Sequence, residues 1–346
     1  MLTLQKIHNH VKRLSETYIP KAKQRRFLSG IQTLSLQEFS SLNRAGRQLS
    51  PNRLTGETRI RRAVKDSELS RHIRQLIIRE VFAGRMHDAF CSLDHSQFGP
   101  FCIAVLALSE RHGRAIPIWC QVNVSDAALI ATLVTALEEL FAFVRSISPR
   151  LKLILVMDRW FSSEKLMRLI SGHGQYFIAR SKGDKLVQLA YDPSWWREPL
   201  GDISSEELPI TYHGLPLRFV RSDWHEGMKD DEPWFLLTNL PDRARSSDWG
   251  YTRRQILNRY TERFEIEEAF KDIKWLQRLK WQQVKRAEVI ESLLHFMFLG
   301  WWLLWVLEGE HTPKKVQREK QRLSWFRTAW EKLQVLSRPP ELCFIT

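Results

Sequence analysis

Residues 153–158 read Leu-Ile-Leu-Val-Met-Asp, five apolar residues in a row that end at a carboxylate. An apolar run of this length, without polar alternation, predicts a strand that is covered on both faces and lies centrally in a sheet. Asp158 would then stand where that strand ends. Taken alone, Asp158 also fits an ordinary cap of the helix that follows.

The segments around this run predict the rest of the sheet. Before it lie three extended runs and one long helix, and after it a short helix and a fifth strand: Ala89–Asp94, Phe101–Leu108, Ala115–Val124, Asp126–Ile147, Ser163–Ser171 and Tyr176–Ala179. Gly99-Pro100 predicts a turn between the first two strands. Three strands followed by β-α-β units match the ribonuclease H-like order, an α/β fold with a mixed five-stranded sheet flanked by helices.

Asp94 lies in the first of these strands. In a ribonuclease H-like sheet the first and fourth strands are neighbours, so Asp94 and Asp158 are expected to approach each other. Two carboxylates at short range repel, and a divalent cation removes that penalty. The alternative is that Asp94 merely begins a turn.

A third carboxylate lies in the segment 258–274, which reads NRYTERFEIEEAFKDIK. At about 100° per residue, five polar residues fall in one stripe of a single predicted helix: Tyr260, Arg263, Glu267, Lys271 and Lys274. Apolar residues line the opposite face: Ile266, Ala269, Ile273 and Leu276. A solvent-exposed face with ordinary i,i+4 ion pairs is the alternative interpretation of this stripe.

The spacing Y-x2-R-x3-E-x6-K at Tyr260, Arg263, Glu267 and Lys274 resembles the signature of a large branch of bacterial insertion-sequence transposases. The resemblance covers roughly residues 55–310 and implies a DDE catalytic core of the retroviral-integrase superfamily. In that branch a β-rich insertion precedes the helix that carries the glutamate, and residues 184–250 lie in the matching place.

The resemblance implies that Asp94, Asp158 and Glu267 are the catalytic, metal-binding triad, with two Mg²⁺ ions per site and Mn²⁺ as a substitute. Tyr260, Arg263, Lys271 and Lys274 would contact DNA near the cleaved end. The implied reaction is cleavage at the ends of the mobile element, followed by transfer of the 3′-OH into target DNA. The implied partners are the terminal inverted repeats and target DNA, bound by a homodimer.

Two positions depart from the family pattern. The chain has Asp94-His95-Ser96 where the family often has Asp-x-Thr, and Trp160 where a small residue usually follows the second aspartate. Two alternatives therefore stay open: a decayed or domesticated transposase that only binds DNA, and a ribonuclease H-like nuclease that cuts without joining.

Charge favours a nucleic-acid partner. The formal net charge is +14, and residues 1–84 hold 17 Lys and Arg against 6 Asp and Glu. This part is predicted to be helical, with a capping box at Ser35 and Glu38 that opens a helix ending near Gly46, and a second helix over Ser67–Phe82. Arg59, Arg61 and Arg62 are predicted to form a basic, DNA-binding loop between them.

These patterns divide the chain into five parts. Residues 1–84 form a helical, basic DNA-binding domain; 85–183 and 255–311 form the two parts of the catalytic domain; 184–254 form the insertion; 312–346 form a basic tail. Trp160 and two tryptophans of the insertion, Trp224 and Trp234, are candidates for stacking on a flipped DNA base.

The remaining features predict a cytoplasmic, nucleoid-associated bacterial protein that is not bound to a membrane. Its four cysteines lack metal-site spacing, and its first residues lead directly into polar sequence. The apolar stretch Leu293–Leu307 is short for a membrane span and predicts a buried helix. The chain has no GxxxxGK[ST] loop, GxSxG elbow or HExxH pair, which disfavours other enzyme classes.

Overall fold

The structure is a computed structural model, and it describes residues 4–32, 50, 52–109, 115–191, 197–222, 233–244, 249–277 and 284–309. The predicted capping box at Ser35 and Glu38 lies outside these residues, as do Trp224 and the tail from residue 310.

Within the described residues, four helices precede the sheet: α1 (Leu4–Tyr18), α2 (Lys21–Gly30), α3 (Arg53–Lys65) and α4 (Ser67–Phe82). The predicted bounds of α4 are confirmed, and its first turn is capped by Asp66, whose side chain accepts a hydrogen bond from the backbone N–H of Leu69. Lys23 and Arg26 of α2 donate to the same carboxylate at 2.8 and 2.7 Å. Asp66 therefore also connects α2 to the start of α4.

The predicted basic loop at Arg59, Arg61 and Arg62 is wrong, because these residues lie in the middle of α3. Asn52 caps the helix by accepting a hydrogen bond from the N–H of Thr55. Ile60 is fully buried on the inner face, as is Ala63, and arginine is itself a good helix former. The positive charge therefore stands on the outer face of a helix.

The central sheet confirms the ribonuclease H-like prediction. Its first five strands are β1 (Ala89–Phe98), β2 (Phe101–Leu108), β3 (Ile116–Asn123), β4 (Leu153–Met157) and β5 (Tyr176–Ser181). They lie in the order β3-β2-β1-β4-β5, with β1, β4 and β5 parallel and β2 antiparallel to both of its neighbours. Two helices connect them, α5 (Asp126–Ile147) and α6 (Glu164–Gly172).

Helix α5 has the predicted bounds Asp126–Ile147, is capped by Ser125, and packs on β2 and β3. Of the described helices, α5 alone is long and apolar enough to cross a membrane by length and composition. A core helix can meet the same criteria, and α5 buries Leu129, Leu133 and Leu137.

The insertion extends the same sheet. Its strands are β6 (Leu186–Leu189), β7 (Glu198–Pro199), β8 (Glu207–Tyr212), β9 (Leu215–Arg221) and β10 (Phe235–Thr238). Because β10 pairs antiparallel with β5, the ribonuclease H-like strands and the insertion form one ten-stranded sheet. His213 and Gly214 form the turn between β8 and β9, with φ of 49° and 77°, the positive values that a two-residue hairpin turn needs.

Among the described residues, three helices follow: α7 (Arg253–Glu262), α8 (Glu265–Gln277) and α9 (Ala287–Gly309). The single helix predicted over residues 258–274 is therefore interrupted at residues 263–264. Helix α9 contains the apolar stretch from Leu293 and packs on β3 and α4. Its described side chains from Val289 to Leu303 are largely buried, which confirms the buried-helix prediction.

Candidate metal centre between β1 and the end of β4

The two aspartates of the candidate site are brought together by the parallel pairing of β1 and β4. Leu93 pairs with Met157, and the next residues are Asp94, which lies within β1, and Asp158, which directly follows β4. The predicted end of the first strand at Asp94 is therefore wrong, because β1 continues to Phe98 in its ladder with β2. One ligand atom from each of Asp94, His95 and Asp158 lies within 4.8 Å of the other two. The predicted approach of the two carboxylates is confirmed.

Asp158 also performs the capping role that the sequence left open. Its Oδ1 accepts a hydrogen bond of 2.8 Å from the N–H of Trp160, in a short 3₁₀ turn over Arg159–Phe161. The two roles are compatible, since a carboxylate has several acceptor positions. The cap fixes the carboxylate at the strand end.

Arg263 connects the third carboxylate to this cluster. Its Nη1 donates to Asp94 Oδ2 at 2.7 Å and its Nη2 donates to Glu267 Oε1 at 3.1 Å. The side chains of Arg263 and Asp94 are 7% and 9% exposed, whereas that of Glu267 is 40% exposed. One buried guanidinium thus holds together carboxylates from β1 and α8.

The electrostatics of the site favour a cation. Burial raises the pKa of Asp94 to about 6. Arg263 opposes this shift, while the negative charges of Asp158 and Glu267 add to it. Arg263 therefore compensates the burial and the mutual repulsion of these carboxylates only in part, and a divalent ion would relieve what remains.

The predicted polar stripe over residues 260–274 is wrong at its first member. Tyr260 is fully buried in α7 and packs edge-on against Trp234, with ring centroids 5.0 Å apart. Between α7 and α8 the N–H groups of Ile266 and Glu267 bond to carbonyls only three residues back, which changes the helical phase. Tyr260 therefore faces the core, and a contact with DNA would require this packing to open.

The other predicted DNA-binding residues lie in different settings. Lys271 is exposed on α8 and pairs with Glu268 at 2.5 Å. Lys274 belongs to α8, but its side chain lies outside the described residues. Arg61 and Arg62 are exposed and Arg59 is half-buried on α3, which packs on α2 and α9.

The base-stacking candidates are not equivalent. Trp234 is 7% exposed and lies in the core beside Tyr260, so its ring offers little surface to a DNA base. Trp160 is half-buried and stacks on His95, with ring centroids 4.3 Å apart and planes 13° from parallel. The stacking interpretation does not fit Trp234, and for Trp160 the described partner is a histidine.

His95 is the site residue that sequence reasoning missed. It occupies the variable position between Asp94 and Ser96, which the family pattern treats as unimportant. The available signal was a metal-binding residue type directly beside a strand-end aspartate. Only the register of β1 and β4 brings His95 to Asp158.

Comparison with known proteins identifies the family to which the chain belongs. Residues 100–303, more than half of the chain, match the family model described as "Transposase DDE domain". The matched range includes Asp158 and Glu267 and begins six residues after Asp94. No curated protein sequence matches the chain.

Among solved structures, one similar chain is that of the piggyBac transposase, in a cryo-EM structure of its synaptic complex with hairpin DNA. The identity is 11%, the alignment covers 90% of this chain and 71% of that one, and the TM-score is 0.42. The assignment therefore rests on the family match, together with the ribonuclease H-like strand order and the acidic cluster at its centre. The chain belongs to the transposase DDE domain family.

Proposed function

We propose that this transposase cleaves DNA at the ends of its own mobile element and joins the freed 3′-OH to target DNA. One observation carries the proposal: Asp94 within β1 lies beside Asp158, which directly follows the adjacent parallel strand β4, and Arg263 links Glu267 to Asp94. Together with the Tyr260-Arg263-Glu267-Lys274 spacing, this arrangement supports membership in the bacterial insertion-sequence branch.

The residues present fit a divalent metal ion. Carboxylate oxygens are the ligands that Mg²⁺ prefers, and the ligand atoms of the two aspartates already lie within 4.8 Å of each other. The raised pKa of Asp94 is what a site lacking sufficient positive charge would have. Two Mg²⁺ ions, replaceable by Mn²⁺, would activate the attacking oxygen and stabilise the leaving oxygen of the phosphodiester.

The protein residues then have separate tasks. Asp94, Asp158 and Glu267 hold the ions, and the cap at Trp160 keeps the Asp158 carboxylate oriented. The planar guanidinium of Arg263 matches two phosphate oxygens, and we expect it to turn to the scissile phosphate once metal ions compensate the carboxylates. Lys271, one helical turn beyond Glu267 and exposed, is placed to add positive charge along the DNA backbone.

We assign the remaining DNA contacts to the N-terminal helices. Arg61 and Arg62 are exposed on α3, in the part of the chain that carries most of its excess positive charge. In this proposal residues 1–84 bind the terminal repeats, the insertion at 184–254 flanks the catalytic site, and two copies pair two DNA ends. We expect the protein to act in the cytoplasm, on the nucleoid.

The test is cleavage of a labelled duplex that carries the ends of the encoding element, with Mg²⁺ or Mn²⁺, by the wild type and Glu267→Gln. Glu262→Gln is the matched control, because Glu262 lies at the end of α7 and pairs with Arg259 at 2.6 Å. We expect nicking and joined products from the wild type and the control, and DNA binding without cleavage from Glu267→Gln.

Cleavage without joined products would favour a nuclease that cuts without joining. DNA binding without cleavage by the wild type in either metal would contradict the proposal and favour a DNA-binding protein derived from a transposase.

A further inference from the structure

His95 is held beside the candidate metal site by a short aromatic stack. Its ring lies nearly parallel to Trp160, at 13° and 4.3 Å, and meets Phe161 edge-on at 6.2 Å. The N–H of Trp160 bonds to Asp158, so one short turn orients both the carboxylate and the indole that supports the imidazole. The position of the His95 ring is therefore coupled to that of a predicted metal ligand.

The imidazole has a nitrogen without a partner. Nδ1 of His95 is buried, and none of the described residues forms a hydrogen bond with it. A buried polar atom left without a hydrogen bond costs about 1–3 kcal/mol, so such atoms are uncommon unless something else binds them. One ring nitrogen of His95 is also within 4.8 Å of ligand oxygens of both Asp94 and Asp158.

From this geometry we propose that His95 is a metal ligand, which gives the DDE site a nitrogen donor beside its carboxylates. The inference rests on the proposed metal-dependent function and adds a residue outside the triad. Carboxylate oxygens suit both Mg²⁺ and Mn²⁺, whereas imidazole is a ligand of transition metals and not of Mg²⁺, so an added nitrogen donor favours the transition metal Mn²⁺ over Mg²⁺. The consequence is a site that prefers Mn²⁺ to Mg²⁺ because of this single residue.

The stacked arrangement also assigns a role to Trp160, which is to hold the His95 ring in place. A small residue at this position would leave the His95 ring without its stacking partner. The indole restricts rotation of the imidazole, and neighbours that hold a metal ligand in one orientation support metal binding. Trp160 acts here as a positioning residue, through His95.

The test is pulsed electron paramagnetic resonance of the full-length protein loaded with Mn²⁺, which detects a directly bound ¹⁴N nucleus. We expect ¹⁴N coupling in the wild type and its loss in His95→Phe, which keeps an aromatic ring against Trp160 but has no donor atom. Mn²⁺ affinity measured by calorimetry should fall by at least about tenfold, while Mg²⁺ affinity changes less.

Two further variants serve as controls for the loss of ¹⁴N coupling. His95→Gln should lose the same coupling without depending on a ring in the stack. His87→Phe, which changes an exposed histidine just before β1, should retain the coupling and the affinity.

Mn²⁺ binding without ¹⁴N coupling in the wild type, or coupling that persists in His95→Phe, would overturn this inference and leave the proposed function standing. Failure of the wild type to bind either metal would overturn both.

Discussion

Two regions of this molecule bury ionisable side chains, and they do so in opposite ways. The carboxylate site gathers Asp94, Asp158 and Glu267 around one guanidinium. The α4–α9 cluster consists of Ser70, Glu291 and His295, between two helices that pack on each other. The hydrogen bonds of this cluster are to neutral partners: Ser70 Oγ lies 2.8 Å from His295 Nδ1, and Glu291 accepts the N–H of Val122 at 3.3 Å. The charge of Arg74 lowers the pKa of both Glu291 and His295, but burial has the larger effect on each.

The pKa shifts of the buried groups differ between the two regions. Burial lowers the pKa of His295 to about 3 and raises that of Glu291, so burial favours the uncharged form of both groups. Asp94 is also shifted toward its neutral form, but it remains beside two other carboxylates and an arginine. The α4–α9 cluster therefore serves packing, whereas the carboxylate site keeps a repulsion that an added cation would remove.

The largest expected effect is a loss of DNA cleavage without a loss of stability when a carboxylate of the site is removed. Asp158→Asn keeps an acceptor for the Trp160 N–H but removes one negative charge. We expect DNA cleavage to fall by about 10³-fold or more, equivalent to about 4 kcal/mol in the barrier. The free energy of unfolding in EDTA should stay unchanged or rise, because a like-charge repulsion is lost. Comparable losses of activity and stability would make Asp158 a structural residue.

The second effect tests whether Arg263 substitutes for a metal ion. Arg263→Met leaves Asp94 buried without its cation, and we expect a loss of about 3 kcal/mol in the free energy of unfolding at pH 7 in EDTA. The loss should shrink at pH 5, where Asp94 takes up a proton. Mn²⁺ should stabilise the variant more than the wild type. Urea denaturation with and without Mn²⁺ checks all three statements, and equal metal responses would contradict this role.

The third effect belongs to the α4–α9 cluster. The pKa of His295 is lowered from 6.5 to about 3, so its contribution to stability is fully present above pH 6.5 and lost as the pH falls toward 3. The stability difference between wild type and His295→Gln should change by about 1.4 kcal/mol per pH unit in this window. Asp94 and Glu291 are present in both proteins, so their own titration is removed when the two free energies of unfolding are subtracted. A pH-independent difference between pH 7 and pH 5 would contradict a buried, neutral His295.

The smallest effect concerns how the N-terminal helices dock on α9. A Cβ at Gly30 would clash with the ring of Phe296, the neighbour of His295, so Gly30→Ala should destabilise the protein by about 1 kcal/mol. Gly172→Ala is the matched control, since a Cβ at the end of α6 meets no atom within 4 Å. Thermal unfolding compares the two, and equal behaviour would show that this contact is loose.

Much of the fold could be predicted from sequence because its signals are local. The predicted bounds of α5 and the apolar run at 153–157 that predicts β4 both agree with the structure. The pairing of β10 with β5 could not be seen, since strand pairing between distant segments leaves no local pattern.

The candidate site was predicted in part. The two aspartates could be located because each follows a largely apolar run, although β1 continues beyond the predicted end at Asp94 to Phe98. The directions in which Tyr260 and Glu267 point from their helices could not be predicted. The prediction assumed that one regular helix continues through residues 263–264. In the structure this helix is broken there: the side chain of Arg263 bonds to Asp94, and the carbonyl of Glu265 accepts a hydrogen bond from the N–H of Ala115. His95 escaped notice for the same reason, because its relation to Asp158 exists only across two strands.

The central claim is that residues from β1, the end of β4 and α8 converge on one metal site. Fe²⁺ bound in place of Mg²⁺, with ascorbate and peroxide, cuts the polypeptide backbone close to the ion, and mass spectrometry locates the cuts. The account predicts cuts near Asp94, Asp158 and Glu267 together, suppressed by excess Mg²⁺ or Mn²⁺ and by Asp158→Asn. Cuts confined to one of these segments, or located elsewhere in the chain, would contradict it.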